Sequence, residues 1–419
     1  MQNKFIRMLQ DHGKRIGPSL FGLSLIVYLL TLCRGVFPGE SARLTVQYTG
    51  LDFFSPMTHF IWGLFVTLLQ KLPVLPLAIR LNAFSAICGA GAVWLLYLIV
   101  SRIPHNRTSE ELEVEIPPLP VQRLSGVIAA LVFAFCIPFW VVSTRAHTAS
   151  FDVMFLLYTV YLLFRFAETK KYTTLYLFSF LYGLGVTEFA TFIVFAPFMG
   201  LWIFYFLWKE GMLLARVLVL AVLCSIAGLF PYILGAWQFQ QTPAYELRNF
   251  TNLFEVVWYT WVEQGHTVRR SLPQVGWLLI IMTTLAPWLI VVAFPKRTIF
   301  ARSAVRSSYL LHILLGILAV AVLFNAHISP WPLTQFRPLL VMPYVLIAMW
   351  IGYLAGYGYI MASKSNRLHG RSAHRFQRLT RVAYVPSILA LLVVSAVMNL
   401  SSANGRSSDG LNVFARRIV

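Results

Sequence analysis

Two acids in this sequence stand where a carboxylate can act on a hydroxyl. Glu40 follows a Pro-Gly pair in the stretch Arg34-Gly35-Val36-Phe37-Pro38-Gly39-Glu40-Ser41-Ala42-Arg43-Leu44. A turn of that kind fixes the acid close to the preceding helix end. A carboxylate there can take a proton from a hydroxyl or help bind a divalent cation. It can equally cap a short helix or pair with Arg43, three residues on. Glu188 closes Gly183-Leu184-Gly185-Val186-Thr187-Glu188, in surroundings with almost no other polar group. A polar island, Ser143-Thr144-Arg145-Ala146-His147-Thr148-Ala149-Ser150-Phe151-Asp152, separates two apolar runs. His147 and Asp152 are five residues apart and need not share one helix face, so no metal pair is assigned to them. His266, Arg269 and Arg270 follow an aromatic stretch with Trp258, Tyr259 and Trp261, and Arg337 follows Pro330-Trp331-Pro332. Arginines can grip a phosphate, or make only generic contact with lipid headgroups.

The elements that must position these groups are helices in a bilayer. Of 419 residues, 58% are hydrophobic and only 12% charged. A soluble chain carries about 25% charged residues. The apolar residues fall in runs near 20 residues long, the length of a bilayer-crossing helix, and ten-residue alternating strands are absent. Spans are expected near 18–37, 80–101, 122–143, 151–168, 173–187, 189–207, 212–236, 275–294, 308–325, 337–361 and 383–400. The fold class is therefore all-α, a polytopic bundle of roughly eleven spans. The domains read as a cytoplasmic segment over 1–17, a transmembrane domain over 18–400 and a short outer tail over 401–419. The stretch 58–69 is too short to cross and reads as an interfacial or re-entrant helix, as does the apolar pattern within 253–262.

Charge assigns the sides. With the N-terminus cytoplasmic, most of the 34 lysines and arginines fall on inside loops, as the positive-inside bias requires. That bias accounts for the net charge of +19 without nucleic acid, which would need a basic soluble domain. Glu40, Arg145, His147, Glu188, His266, Arg269, Arg270 and Arg337 then collect on the outer face. Within a membrane, an acid such as Glu188 is costly unless paired or hydrated, which marks it for function. No Gly-rich phosphate loop, nucleophile elbow or His-Glu-x-x-His zinc motif is present.

The order of several short motifs resembles the protein O-mannosyltransferase-like group of GT-C membrane glycosyltransferases. The family's first outer loop carries Gly-Asp-Ser-Gly-Glu-Leu, and Gly39-Glu40-Ser41-Ala42-Arg43-Leu44 is similar. Ser55-Pro56-Met57-Thr58-His59 matches its Pro-containing segment, and Arg80-Leu81-Asn82-Ala83-Phe84-Ser85 its Arg-x-Asn-x-x-Ser span entry. Ala146-His147 to Phe155 corresponds to Ala-Glu-Val-Tyr-x-Leu-x-x-x-Phe, and Gly183 to Glu188 to Gly-Leu-Gly-x-x-His. The likeness covers about the first 200 residues.

The resemblance implies transfer of a sugar, mannose in the family's pattern, from a polyprenyl-phosphate donor to a protein or glycan acceptor outside the cytoplasm. It maps the family's catalytic acid to Glu40, with Glu188 as a second acid. Arg43, His59, Arg145, His147, His266, Arg269, Arg270 and Arg337 become the substrate-binding candidates. No protein metal ligand is assigned, and a divalent cation is the one cofactor left open. The expected setting is the cell (inner) membrane, with the active face outside. Two departures stand out, Arg43 and His147 where the family has acids. A lipid-glycan flippase and a non-catalytic scaffold descended from such an enzyme remain alternative readings.

Overall fold

The computed structural model describes residues 9, 11, 13–37, 39–48, 59–105, 118–188, 190–241, 245–246, 250–270, 338–364 and 371–406. Within them there are fourteen helices and no strand. The first group is α1 (Gly13–Leu30), α2 (Glu40–Tyr48), α3 (Phe60–Gln70), α4 (Leu77–Val100) and α5 (Pro118–Phe135). Then come α6 (Ile137–Ser143), α7 (Thr148–Thr169), α8 (Tyr172–Glu188), α9 (Ala190–Lys209) and α10 (Ala215–Ala227). The last are α11 (Phe230–Gln240), α12 (Leu253–Arg270), α13 (Pro338–Lys364) and α14 (Arg371–Ala403).

Among the described residues, five helical segments are long and apolar enough to cross a bilayer: α4, α5, α7, α10 with α11, and the part of α14 from Val382 to Ala403. On α14, Leu391, Val393, Val394 and Val397 are exposed, and on α10 so are Val219, Val222, Leu223 and Ile226. An apolar surface of that extent is stable only against lipid or another protein. The all-α membrane bundle expected from the sequence is the fold observed. The expected spans 275–294 and 308–325 lie outside the described residues. The short helix expected over 58–69 is α3, and the aromatic stretch at 253–262 is the first half of α12.

Two expected spans are interrupted. The stretch 122–143 divides into α5 and α6, because Cys136 is extended and Pro138 occupies the first turn of the second helix. A proline ring collides with the carbonyl four residues back, here Ala134. That carbonyl instead accepts a hydrogen bond from Tyr28 Oη at 2.9 Å, and Phe135 O accepts one from Asn399 Nδ2 at 2.8 Å. Side chains of α1 and α14 thus satisfy the backbone that the break exposes, as a bilayer demands. The stretch 212–236 divides at Gly228 into α10 and α11.

The core centres on α4, which packs against α1, α5 and α7, while α5 also lies along α13 and α8 along α10. Two crossings depend on glycine. A Cβ on Gly183 of α8 would lie 2.0 Å from Ser225 O, and one on Gly228 would lie 2.2 Å from Phe180 O. On α13, a Cβ on Gly352 or Gly356 would meet Ser125 of α5 at 2.3 and 2.0 Å. Membrane helices gain their contact energy from such close approach, since lipid offers no hydrophobic drive between them.

One end of the bundle is held by ion pairs: Arg102 Nε to Glu168 at 2.9 Å, and Lys170 to Glu210. The opposite end gathers the C-terminus of α1, the start of α4, the α6–α7 turn and the end of α14. There Cys33 N–H donates to Thr144 O at 3.0 Å and Gly405 N–H to Thr31 O at 2.9 Å.

Candidate functional site

The span-entry motif Arg80, Asn82 and Ser85 builds the frame of that second end. Arg80 Nη1 donates to the carbonyls of Leu69, Gln70 and Leu72, closing the C-terminus of α3. Asn82 Nδ2 donates to Cys33 O at 2.7 Å and Gly35 O at 3.0 Å, holding the segment that leads into α2. Ser85 Oγ donates to His147 O and accepts from His147 N, both at 3.3 Å. One turn and a half of α4 therefore fixes three chain segments at once.

Gly39, at φ 86°, makes the turn into α2, a conformation open to glycine and strained for other residues. Glu40 is the first residue of α2, the short helix that the alternative reading of this acid invoked, and its side chain lies outside the described residues. Arg43 is exposed on the same helix. Among the other expected binding residues, His266 is exposed on α12, the side chains of Arg269 and Arg270 at its end are not described, and Arg337 lies outside the described residues.

His147 is the N-cap of α7: its Nδ1 accepts the Ala149 N–H at 3.0 Å. Where the resemblance expects a glutamate, an imidazole nitrogen thus fulfils the acceptor role that helix starts require. Two residues earlier, Arg145 is 8% exposed, with its guanidinium carbon 3.6 Å from the centre of the Phe37 ring. Among the described residues no acid pairs with it, and its Nε has no hydrogen-bond partner. Burial lowers its pKa to about 10, which leaves it charged at neutral pH. A buried cation on an aromatic face, with no acid beside it among the described residues, has the chemistry to hold an anion.

Glu188, at the end of α8, is fully buried. Its Oε2 accepts the Ile61 N–H at 2.8 Å and its Oε1 the Trp62 N–H at 2.9 Å. These are free donors of the first turn of α3, where a negative charge also meets the positive end of the helix dipole. Immediately before them, His59 adopts φ 60°, ψ 43°, an uncommon backbone for a residue with a side chain. Its Nδ1 lies 3.6 Å from Asp152 Oδ1, one turn into α7. His59, Asp152 and Glu188 each present a ligand atom within 4.8 Å of the others.

Of the residues expected from sequence, the structure brings Glu188 and His59 together and places Arg145 and His147 in one buried turn. It adds Asp152, which sequence reasoning weighed only against His147 on its own helix. The usable signal was an isolated acid in an otherwise apolar span.

Fold and site define a multi-pass helical membrane protein with an acid–imidazole cluster and, at one end of the bundle, a buried arginine that no acid pairs with among the described residues. Residues 55–212 match the family model described as Protein O-mannosyl-transferase TMEM260 N-terminal domain. The match spans His59, Arg80, Asn82, Ser85, Arg145, His147, Asp152 and Glu188, and it supports the protein O-mannosyltransferase-like resemblance and, at the level of the family, a membrane glycosyltransferase. No curated protein matches the chain.

Proposed function

We propose that this protein is a GT-C-type glycosyltransferase that moves a sugar, mannose in the family's pattern, from a polyprenyl-phosphate donor to an acceptor hydroxyl of a protein or glycan. The reaction takes place on the non-cytoplasmic face of the cell membrane. The observation that carries this reading is Arg145, a buried, charged guanidinium with no acidic partner among the described residues, inside the segment that matches the family. A departing prenyl phosphate is the anion such a group would stabilise.

In the proposed step Glu40, at the start of α2, takes the acceptor's proton as its oxygen attacks the anomeric carbon. The bond from that carbon to the phosphate oxygen breaks, and prenyl phosphate leaves with the bonding electrons. Arg145 neutralises the charge that develops there, with Arg269, Arg270 and Arg337 as further candidates for the phosphate and lipid contact. His147 and Ser85 act through Arg145 by fixing the turn that carries it.

The test is transfer of radiolabelled mannose from a prenyl-phosphate donor by the purified protein. Wild type should label an acceptor, and Glu40→Gln should abolish labelling while expression and melting stay unchanged. Full activity in Glu40→Gln would remove that residue from the mechanism. No transfer by wild type, with prenyl-phosphate sugar moved intact across vesicles instead, would overturn the enzymatic reading.

A further inference from the structure

The charges where α3, α7 and α8 converge do not balance. Asp152 and Glu188 are both fully buried, and His59 is the one cationic partner either acid has among the described residues. Glu188 spends one acceptor position of each oxygen on an N–H of α3, and a carboxylate has further lone pairs to offer. Neither oxygen of Asp152 has a partner at hydrogen-bond distance, and among the described residues His59 and Thr148 reach it only through looser contacts. The 3.6 Å to His59 Nδ1 exceeds hydrogen-bond range. An ionised carboxylate held so loosely in a buried place is strongly disfavoured, and a second carboxylate beside it makes matters worse.

We propose that His59, Asp152 and Glu188 form a binding site for one divalent transition-metal cation. A doubly charged cation cancels both carboxylates, and a neutral imidazole adds a ligand without adding charge. One nitrogen and two oxygen donors suit Mn²⁺ or Zn²⁺ better than Ca²⁺ or Mg²⁺, which favour oxygen alone. Their ligand atoms already lie within 4.8 Å of one another. Each arm is also fixed separately: Glu188 by two backbone N–H groups, Asp152 by its place one turn into the capped helix α7, and His59 by its left-handed backbone. Three protein ligands leave coordination positions open to water or a phosphate oxygen. The site goes beyond the sugar-transfer reading and does not depend on it, because metal binding is measured without donor or acceptor.

The experiment uses the full-length protein purified in detergent, stripped with a chelator and titrated with Mn²⁺, free Mn²⁺ being read by electron paramagnetic resonance. One Mn²⁺ should bind per chain, Zn²⁺ should displace it, and the spin-echo spectrum should show modulation from an imidazole nitrogen. Asp152→Asn keeps size and shape and should weaken Mn²⁺ binding by at least about tenfold. His59→Asn tolerates the left-handed backbone and should remove the nitrogen modulation. Melting of both variants in chelator establishes that they fold. If Asp152→Asn does not fold, His59→Asn decides alone. Absence of Mn²⁺ and Zn²⁺ binding by wild type, or unchanged affinity and modulation in the folded variants, overturns the site and leaves the transfer assay untouched.

Discussion

Glu188 and Trp62, 126 residues apart in sequence, are joined by a 2.9 Å hydrogen bond from the Trp62 backbone N–H to the Glu188 carboxylate. With the companion bond from Ile61, the end of α8 thereby fixes the start of α3. Removing that acceptor leaves two donors unsatisfied in a buried place. Glu188→Ala should therefore destabilise the protein by about 2–4 kcal/mol. Glu188→Gln, which keeps one carbonyl oxygen, should lose less. Thermal unfolding in micelles with chelator present, so that no cation contributes, measures both. Equal midpoints for the three proteins would contradict the role of Glu188 in holding α3.

The crossing of α8 over α10 predicts a steric effect without chemistry. Gly183→Ala drives a methyl group onto the Ser225 carbonyl, where the backbone cannot yield cheaply. The cost should be about 1–3 kcal/mol and visible as a lower melting midpoint. Gly22→Ala is the control, because nothing lies within 4 Å of its new Cβ. It should be neutral or slightly stabilising, as alanine favours helix.

Asn82 holds the segment that leads to Glu40 through the carbonyls of Cys33 and Gly35. Cys33 is fully buried in the native protein. Asn82→Ala should release that segment and speed maleimide labelling of Cys33, located by peptide mass spectrometry. Labelling at the wild-type rate would show that the other contacts of the segment suffice.

The charge of Arg145 sets a pH dependence for anion binding. Its folded pKa is lowered by burial to about 10, so the guanidinium is protonated below that value and neutral above it. Affinity for a prenyl-phosphate donor should be level through neutral pH and decline as pH rises through about 10. Arg145→Gln should bind more weakly throughout and lose the decline. A fluorescent prenyl-phosphate binding titration across that range distinguishes the two, and a level wild-type curve would exclude Arg145 from the phosphate contact. The sign for stability is opposite: burying the charged form costs folding energy below the folded pKa, and that cost lessens as pH rises through it.

The break between α5 and α6 shows where one-dimensional reading stopped. Residues 122–143 have the length and apolarity of one continuous span, and Pro138 alone does not end a membrane helix. The division depends on Tyr28 and Asn399, which accommodate the freed carbonyls from helices distant in sequence. The same holds for His147, whose spacing from Asp152 gave no reason to see an N-cap.

Composition and run length were enough to determine an all-α membrane bundle, because a bilayer leaves a chain few ways to satisfy its backbone. Short motifs were enough to mark Glu40, His59, Arg145 and Glu188 as residues of interest and to suggest the family. Only the tertiary structure decided that Glu188 anchors α3, that Arg145 is buried over Phe37 with no acid beside it among the described residues, and that Asp152 joins His59 and Glu188. Helical periodicity reports which residues share a face of their own helix. The cluster is made of residues from the starts of two helices and the end of a third, and that meeting is held by the hydrogen bonds of Glu188 to α3, of Arg80 to the end of α3 and of Ser85 to the turn before α7.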